Sequence, residues 1–360
     1  MSAHGANSPE AGGERPDILL LSLGTTLGWR VGDELFVDQL RAVGVTVAPV
    51  AVRIGASGRL RRAYPVTDLV EAAAARRALA AALDRHSPRA LVICTTTAAM
   101  LANPRDVPYA VRLDAPARLN RPGRRNAGLH ALERRALGRA RMVLPWSRAA
   151  RDALPGEAAP AVVVPSPITA SGEPLWKRER TAVAYTPDVK AKGLDVVCGA
   201  WATAGITDAR LEVFGVEREP ALAHLRRTGT TLPENVEFRG KTPPEQFRTA
   251  LRRGLLYVGG ARWEDYGQAP LEALADGALL ATVPSGGPFE ALALGRELAP
   301  ELVAGSVAAE PLAGAIRTAF ELPEERLLDY RRRATALLER FRPEAIERTL
   351  ANEVLPVLLG

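Results

Sequence analysis

Leu255-Leu256-Tyr257-Val258, followed by Glu264-Asp265-Tyr266-Gly267-Gln268-Ala269-Pro270-Leu271-Glu272-Ala273-Leu274-Ala275-Asp276-Gly277, contains both the element pattern and the candidate chemistry. The four apolar residues read as a short buried strand. Ala269 to Asp276 reads as a helix, with Pro270 in its first turn and Gly277 as its stop. Glu264 and Glu272 therefore lie at the C-terminal edge of a sheet, where open α/β sheets bind ligands. The backbone N–H groups of Tyr266, Gly267 and Gln268 at the helix start favour an anion such as a diphosphate, and Gly267 has no Cβ to block its approach. The alternative is an exposed loop glutamate, with Glu272 favouring the helix N-terminus and needing no ligand.

Outward from this stretch, strand and helix patterns alternate. Upstream, Val183-Ala184-Tyr185 opens a strand, Thr186 to Leu194 forms a loop carrying Lys190 and Lys192, and Val196 to Thr203 continues as an alanine-rich helix. Leu211 to Phe214 is a strand ended by Gly215, and Val236 to Lys241 is another. Pro243-Pro244-Glu245 opens a helix, and Leu279 to Val283 is the strand after the key helix. Such alternation predicts a parallel sheet covered by helices.

The N-terminal half repeats the pattern. Ile18 to Leu23 is an apolar strand, a glycine-containing loop runs from Gly24 to Gly32, and Asp33 fits the N-cap of a helix over 34–43. Val45 to Val47, Ala90 to Cys94, Tyr109 to Asp114 and Arg141 to Leu144 read as further strands, with Ser147 capping a short helix. Proline, serine and glycine over 165–174 mark a linker. The expected organisation is a disordered N-terminus over 1–15, an α/β domain over 16–170, a second over 176–342, and a C-terminal helical segment over 343–360 opened by Pro343.

Glu264 through Gly277, continued by Gly286-Gly287-Pro288-Phe289-Glu290, resembles the nucleotide-sugar site of the retaining GT-B glycosyltransferases of family four, the group 1 glycosyltransferases. The resemblance implies two Rossmann-like domains with parallel sheets facing a central cleft, the first binding the acceptor and the second the nucleotide sugar. It implies that Glu264 lies near the transferred sugar and that Glu272 holds the ribose hydroxyls. Lys192, in Lys192-Gly193, matches the lysine that neutralises the donor diphosphate. The family's Gly-Arg before that pair is replaced here by Ala184-Tyr185, which leaves Lys190 either as the second cation or as a solvated loop lysine. The resemblance places the nucleotide base near Gly215 and the turn at Phe238, Arg239 and Lys241, although either basic residue fits a plain surface charge equally. Asp114, with Arg112 beside it, occupies a position that faces the cleft from the acceptor domain, or else caps a turn. It also implies that the terminal segment returns to the first domain.

Composition bounds the rest. At about 150 residues per domain, 360 residues suggest two or three domains, and 47% apolar residues suffice for sizeable cores. No signal-peptide block or membrane-spanning apolar run is present, so the expected location is cytoplasmic, with peripheral contact at the inner membrane face as a second possibility. Cys94 and Cys198 are too few for a disulfide framework and lack metal-ligand spacing, so both read as buried free thiols. Neither a zinc motif nor a Ser-His-Asp signature is found, and no cofactor or bound metal is expected beyond the donor substrate.

Charge is uneven. Residues 1–180 carry 26 Lys plus Arg and 16 Asp plus Glu, 26 − 16 = +10, and the overall +6 leaves 6 − 10 = −4 for the rest. Arginines from Arg118 to Arg141 crowd one segment in which Leu129, Leu132 and Leu137 form an apolar helix face. That helix either rests on anionic lipid or docks by its leucines with a solvated basic face. Nucleic acid is excluded for want of interleaved aromatic and basic residues. The reading is transfer of a sugar from a nucleotide diphosphate sugar to a carbohydrate, lipid-linked or small-molecule acceptor with retained anomeric configuration. Its alternatives are a catalytically silent nucleotide-sugar-binding protein and a sugar-nucleotide epimerase of the same architecture.

Overall fold

The computed structural model describes residues 15–25, 27–54, 65–173, 175 and 178–360. The expected disordered N-terminus lies almost wholly outside these residues. The chain divides into two compact units, one formed by Met1–Leu144, Pro155–Val162 and Thr349–Gly360, the other by Pro145–Leu154 and Val163–Arg348.

The first unit is built on five strands, β1 (Ile18–Ser22), β2 (Val47–Ala51), β3 (Ala90–Cys94), β4 (Tyr109–Leu113) and β5 (Met142–Pro145), in the order β2-β1-β3-β4-β5. The β1–β2, β1–β3 and β3–β4 pairs are parallel, with Leu20 opposite Pro49 on one side and Val92 on the other. Pro49 is tolerated because β2 is an edge strand. β3 and β4 are buried along their whole length, as expected of strands covered on both faces.

Two local readings need correction. The helix after β1 begins at Leu27 and runs to Ala42, so Gly28 and Gly32 lie inside it, not in a loop, and Asp33 is not its N-cap. Gly32, inside the helix, costs about 1 kcal/mol against alanine, which burial of Phe36, Val37 and Leu40 outweighs. β2 starts at Val47, not Val45. The preceding residue, Thr46, is held by Asp17, whose carboxylate accepts from both its backbone N–H (3.0 Å) and its hydroxyl (2.7 Å). Other readings stand: Ser147 accepts from Ala150 N–H as an N-cap (3.0 Å), and Leu129 and Leu137 of the helix Ala127–Arg139 are buried, with Leu132 packed partly against the same core.

The second unit carries β6 (Glu179–Tyr185), β7 (Arg210–Phe214), β8 (Val236–Gly240), β9 (Gly254–Gly259) and β10 (Leu279–Thr282), in the order β10-β9-β6-β7-β8, all pairs parallel. Its core joins Val183, Leu211, Val213, Leu256 and Leu280 to the helices Leu194–Ala204 and Ala309–Glu321, where Trp201 meets Phe320 edge-on at 5.9 Å. The Trp201 indole donates to Asn235 (3.1 Å), so its one polar atom is satisfied inside that core. Cys94 and Cys198 are buried free thiols, and burial pushes the Cys198 thiol up to about 12. Among the described residues no helix is long and apolar enough to cross a membrane.

Candidate functional site

In the second sheet the order reverses between β6 and β9, the two strands that run side by side at its centre. At such a switch point the loops leaving adjacent strands diverge to opposite faces and open a crevice. The loop after β6 carries Lys192 and the loop after β9 carries Glu264.

Backbone chemistry shapes the first loop. The Asp188 carboxylate accepts from the backbone N–H of Lys190 (3.0 Å) and Ala191 (2.9 Å), and its carbonyl accepts from Lys192 N–H (2.9 Å). Gly193 then turns the chain at φ +62°, where a Cβ would stand 2.0 Å from the carbonyl oxygen of Gly260. Arg262 ties the two loops together. Its guanidinium donates to Lys190 O (3.0 Å) and to the Asp195 carboxylate (3.0 and 2.5 Å), and its backbone N–H donates to Ala191 O (2.9 Å).

The result is a direct contact: the Lys192 ammonium donates to both carboxylate oxygens of Glu264, at 2.6 and 2.8 Å. Burial raises the Glu264 carboxyl above its ordinary range, and the Lys192 charge and hydrogen bonds only partly oppose it. Tyr185, Tyr257, Pro270 and Phe289 surround the pair and enclose a cavity of about 10 Å3, room for about one water. Behind Glu264, its backbone N–H donates to Gly286 O (3.0 Å), and Gly287, at φ +92°, lies so close that a Cβ would stand 2.4 Å from Glu264 O.

Gly267, at φ +85°, turns the chain into the helix Gln268–Ala275, with Phe289 packed where its Cβ would be. Tyr266 is an anchor: its side chain is buried, its hydroxyl donates to Ser166 O (3.1 Å), and its ring meets Trp146 edge-on at 5.4 Å. One turn into the helix, Glu272 accepts from the Gln268 amide (3.2 Å) and lies 3.9 Å from Arg248. Burial raises the Glu272 carboxyl, with the Arg248 charge opposing. Arg248 is itself clamped on the buried Asp276 (2.7 and 3.0 Å) and donates to Thr169 O (2.6 Å). Sequence reasoning missed Arg248, Arg262 and Asp195, because their partners are 24 to 79 residues away in the chain and no motif links them.

Other expected residues are distributed differently. Lys190 is exposed, and its ammonium has no carboxylate within ion-pairing distance among the described residues. Gly215, at φ +88°, donates its N–H to Gly240 O (2.8 Å) and approaches Pro187 closely. Phe238 packs partly into the core, whereas Arg239 pairs with Glu212 (2.7 Å) and Glu237 (2.6 Å). The pairing of β7 with β8 shifts register here, Val213 lying opposite Phe238 and Phe214 opposite Gly240, so Arg239 is the extra residue of a bulge. Lys241 donates its backbone N–H to Glu217 (3.0 Å).

In the first unit, Asp114 follows β4, accepting from the Trp29 indole (2.6 Å) and from Ala115 N–H (2.8 Å). Arg112 is not available to a substrate as expected. It is 1% exposed, lies under Phe36 at 4.5 Å and pairs with Asp33 at 3.8 Å. Asp33 also accepts from the Ser22 hydroxyl (2.5 Å), and burial raises its carboxyl despite Arg112.

This arrangement resembles several solved structures. Sucrose-phosphate synthase from Thermosynechococcus elongatus superposes with a TM-score of 0.71 at 17% identity, over 94% of this chain and 98% of that one. HepE of Anabaena, crystallised with UDP and glucose, gives 0.67 at 15% identity over 95% and 100%. The E. coli trehalose-6-phosphate protein bound with UDP-2-fluoro glucose gives 0.69 at 11% identity over 94% and 98%. No curated protein gives a significant sequence match. Residues 173–336 match the family model described as glycosyl transferases group 1.

Proposed function

We propose, from a chain whose residues 173–336 match the family model of the group 1 glycosyl transferases and whose two parallel-sheet units have the GT-B fold, that this protein transfers a sugar from a nucleotide diphosphate sugar to an acceptor with retained anomeric configuration. The observation that carries the reading is the Lys192–Glu264 contact at the switch point of the second sheet, with Glu272 on the helix that starts beside it.

In this reading the donor diphosphate draws the Lys192 ammonium to itself, and the backbone N–H groups at Gly267 and Gln268 face the same charge. Breakage of the bond between the sugar's anomeric carbon and the phosphate oxygen leaves its electron pair on the diphosphate. A preorganised cation and helix terminus stabilise that charge without reorganising. Glu264, released from part of its ion pair, orients the sugar, and Glu272 takes the ribose hydroxyls. Lys190, exposed on the same loop, supplies the second cation in place of the family's arginine. Asp114 serves the acceptor side, and no metal takes part. UDP and glucose in the HepE crystal, and UDP-2-fluoro glucose in the E. coli structure, support a donor of this class. The cytoplasm is the proposed location.

Incubation with UDP, GDP and ADP sugars under thermal-shift readout identifies the donor, and NMR of the product reports the anomeric configuration. Product with inverted configuration, or abolition of transfer by EDTA, overturns the corresponding part of the proposal. Ala184-Tyr185 in place of Gly-Arg favours a second reading, a nucleotide-sugar-binding protein without turnover. Donor binding with neither transfer nor hydrolysis across an acceptor panel would select it.

A further inference from the structure

At the edge of the first sheet opposite its strands' C-terminal ends, a pocket of about 600 Å3 opens between the segment leading into β4 and the end of the helix Ala127–Arg139. Tyr109, the first residue of β4, and Arg141, immediately before β5, both line it, which fixes its position at the N-terminal edge. A strand rises about 3.3 Å per residue, so the five residues of β4 separate this pocket from Asp114 by about 16 Å.

Four arginines line the pocket, Arg105, Arg135, Arg139 and Arg141, against a single acidic residue, Asp106. Arg105 is partly neutralised by Asp84 at 2.5 Å, and Arg141 donates through Nε to Val357 O (3.1 Å), which leaves its terminal nitrogens for another partner. Arg135 and Arg139 have no carboxylate within ion-pairing distance among the described residues. They are four residues apart on one helix, a like-charge spacing that costs a few tenths of a kcal/mol by itself. The helix C-terminus favours the charge of Arg139 in its last turn but not that of Arg135, yet both residues line the concavity. The pocket walls are Met100, Ala136 and the ring of Tyr109, whose hydroxyl donates to Ala136 O (2.7 Å). Its volume is that of a small-molecule site. Planar guanidinium groups match phosphate oxygens in pairs, and four arginines along one concave surface supply that chemistry.

We infer that this pocket binds a phosphate-bearing anion, held chiefly by Arg135 and Arg139 with Arg105 and Arg141 at the rim, at a site separate from the proposed donor crevice. The phosphate can come from a soluble diphosphate or from an anionic lipid headgroup, and the test distinguishes them.

Pyrophosphate is titrated calorimetrically into Lys192→Ala protein, which removes the proposed diphosphate cation of the second unit, and into the same protein carrying Arg135→Ala and Arg139→Ala. In parallel, both are sedimented with phosphatidylcholine vesicles made with and without phosphatidylglycerol. Arg124→Ala with Arg125→Ala, two exposed arginines outside the pocket, makes the same change in net charge. Loss of two charge-assisted contacts predicts about tenfold weaker binding or more for the Arg135/Arg139 variant and little change for the Arg124/Arg125 control. Loss confined to pyrophosphate assigns the pocket to soluble diphosphates, and loss confined to phosphatidylglycerol vesicles assigns it to lipid headgroups. Equal loss in both pairs of substitutions, or binding of neither probe, overturns the inference. Circular dichroism of every variant keeps a folding defect distinct from these outcomes, and Arg135→Lys with Arg139→Lys should restore part of the affinity if charge at this position is what binds.

Discussion

Lys192 and Glu264 are 72 residues apart in the chain, and the ammonium of one reaches both carboxylate oxygens of the other, at 2.6 and 2.8 Å. The cation proposed for the diphosphate and the carboxylate proposed for the sugar thus hold each other in place. A donor entering the crevice must redistribute this pair, so each residue's contribution is measured against an occupied partner.

Lys192→Ala should cut turnover by about two to three orders of magnitude, the range for removing one preorganised electrostatic group, with a smaller effect on nucleotide affinity. Steady-state kinetics with the donor found by screening checks this. A loss in KM with kcat unchanged would place the lysine in ground-state binding instead.

The same substitution changes the response to pH. Glu264 is already raised above its usual 4.5, and removing Lys192 removes the charge that opposes the rise. A carboxyl raised in the folded state binds more protons there than in the unfolded chain. Its favourable contribution is present below pH 4.5 and is lost as pH rises through the folded value. Lys192→Ala should therefore lose stability, relative to the parent, as pH rises from about 4.5 toward neutrality. Parallel melting curves across this window measure the effect.

Glu272→Gln should weaken nucleotide affinity by about tenfold, since one carboxylate hydrogen bond to a hydroxyl is worth about 1.5 kcal/mol. Its fold stability at neutral pH should stay equal or rise by on the order of 1 kcal/mol, because a carboxyl held up by burial no longer has to ionise. Calorimetric titration and thermal melts read the two effects separately.

Gly193→Ala should be among the most damaging single-methyl changes in the second unit. The residue sits at φ +62°, and the added Cβ would lie 2.0 Å from Gly260 O. Strain of about 1–3 kcal/mol is expected together with displacement of the Lys192 loop. Loss of turnover and a lower Tm should appear together, whereas Gly205→Ala, whose Cβ would meet nothing within 4 Å, should show only the strain of its φ +67°.

Arg248→Ala should destabilise the fold by about 3 kcal/mol, because it leaves the Asp276 carboxylate, 0% exposed, without its cation. The Ser171 N–H that donates to Asp276 (2.7 Å) limits the loss. Nucleotide affinity should fall as well, through Glu272, and denaturant titration with and without nucleotide distinguishes the two.

Local pattern carried the reading where local forces dominate. Ala90 to Cys94 is a strand with the expected ends because a five-residue apolar run, too short for a typical helix, suits a strand covered on both faces, and Pro244 opens a helix because its φ suits a first turn. Where the outcome depends on neighbours, the pattern misled. Gly28 and Gly32 read as loop punctuation, yet the helix absorbs them because Phe36 and Leu40 are buried under it. Arg112 read as a cleft residue, yet its strand is buried on both faces and its charge is met inside by Asp33.

The candidate site divides along the same line. Glu264, Gly267, Glu272 and Lys192 were legible from one strand-loop-helix run and one Lys-Gly pair, because each is placed by its own segment's geometry. That Lys192 meets Glu264, that Arg262 locks their loops together and that Arg248 attends Glu272 depend on which strands lie side by side. Adjacency of β6 and β9 follows from packing helices on both faces of one twisted sheet, a global balance that no window of a few residues contains.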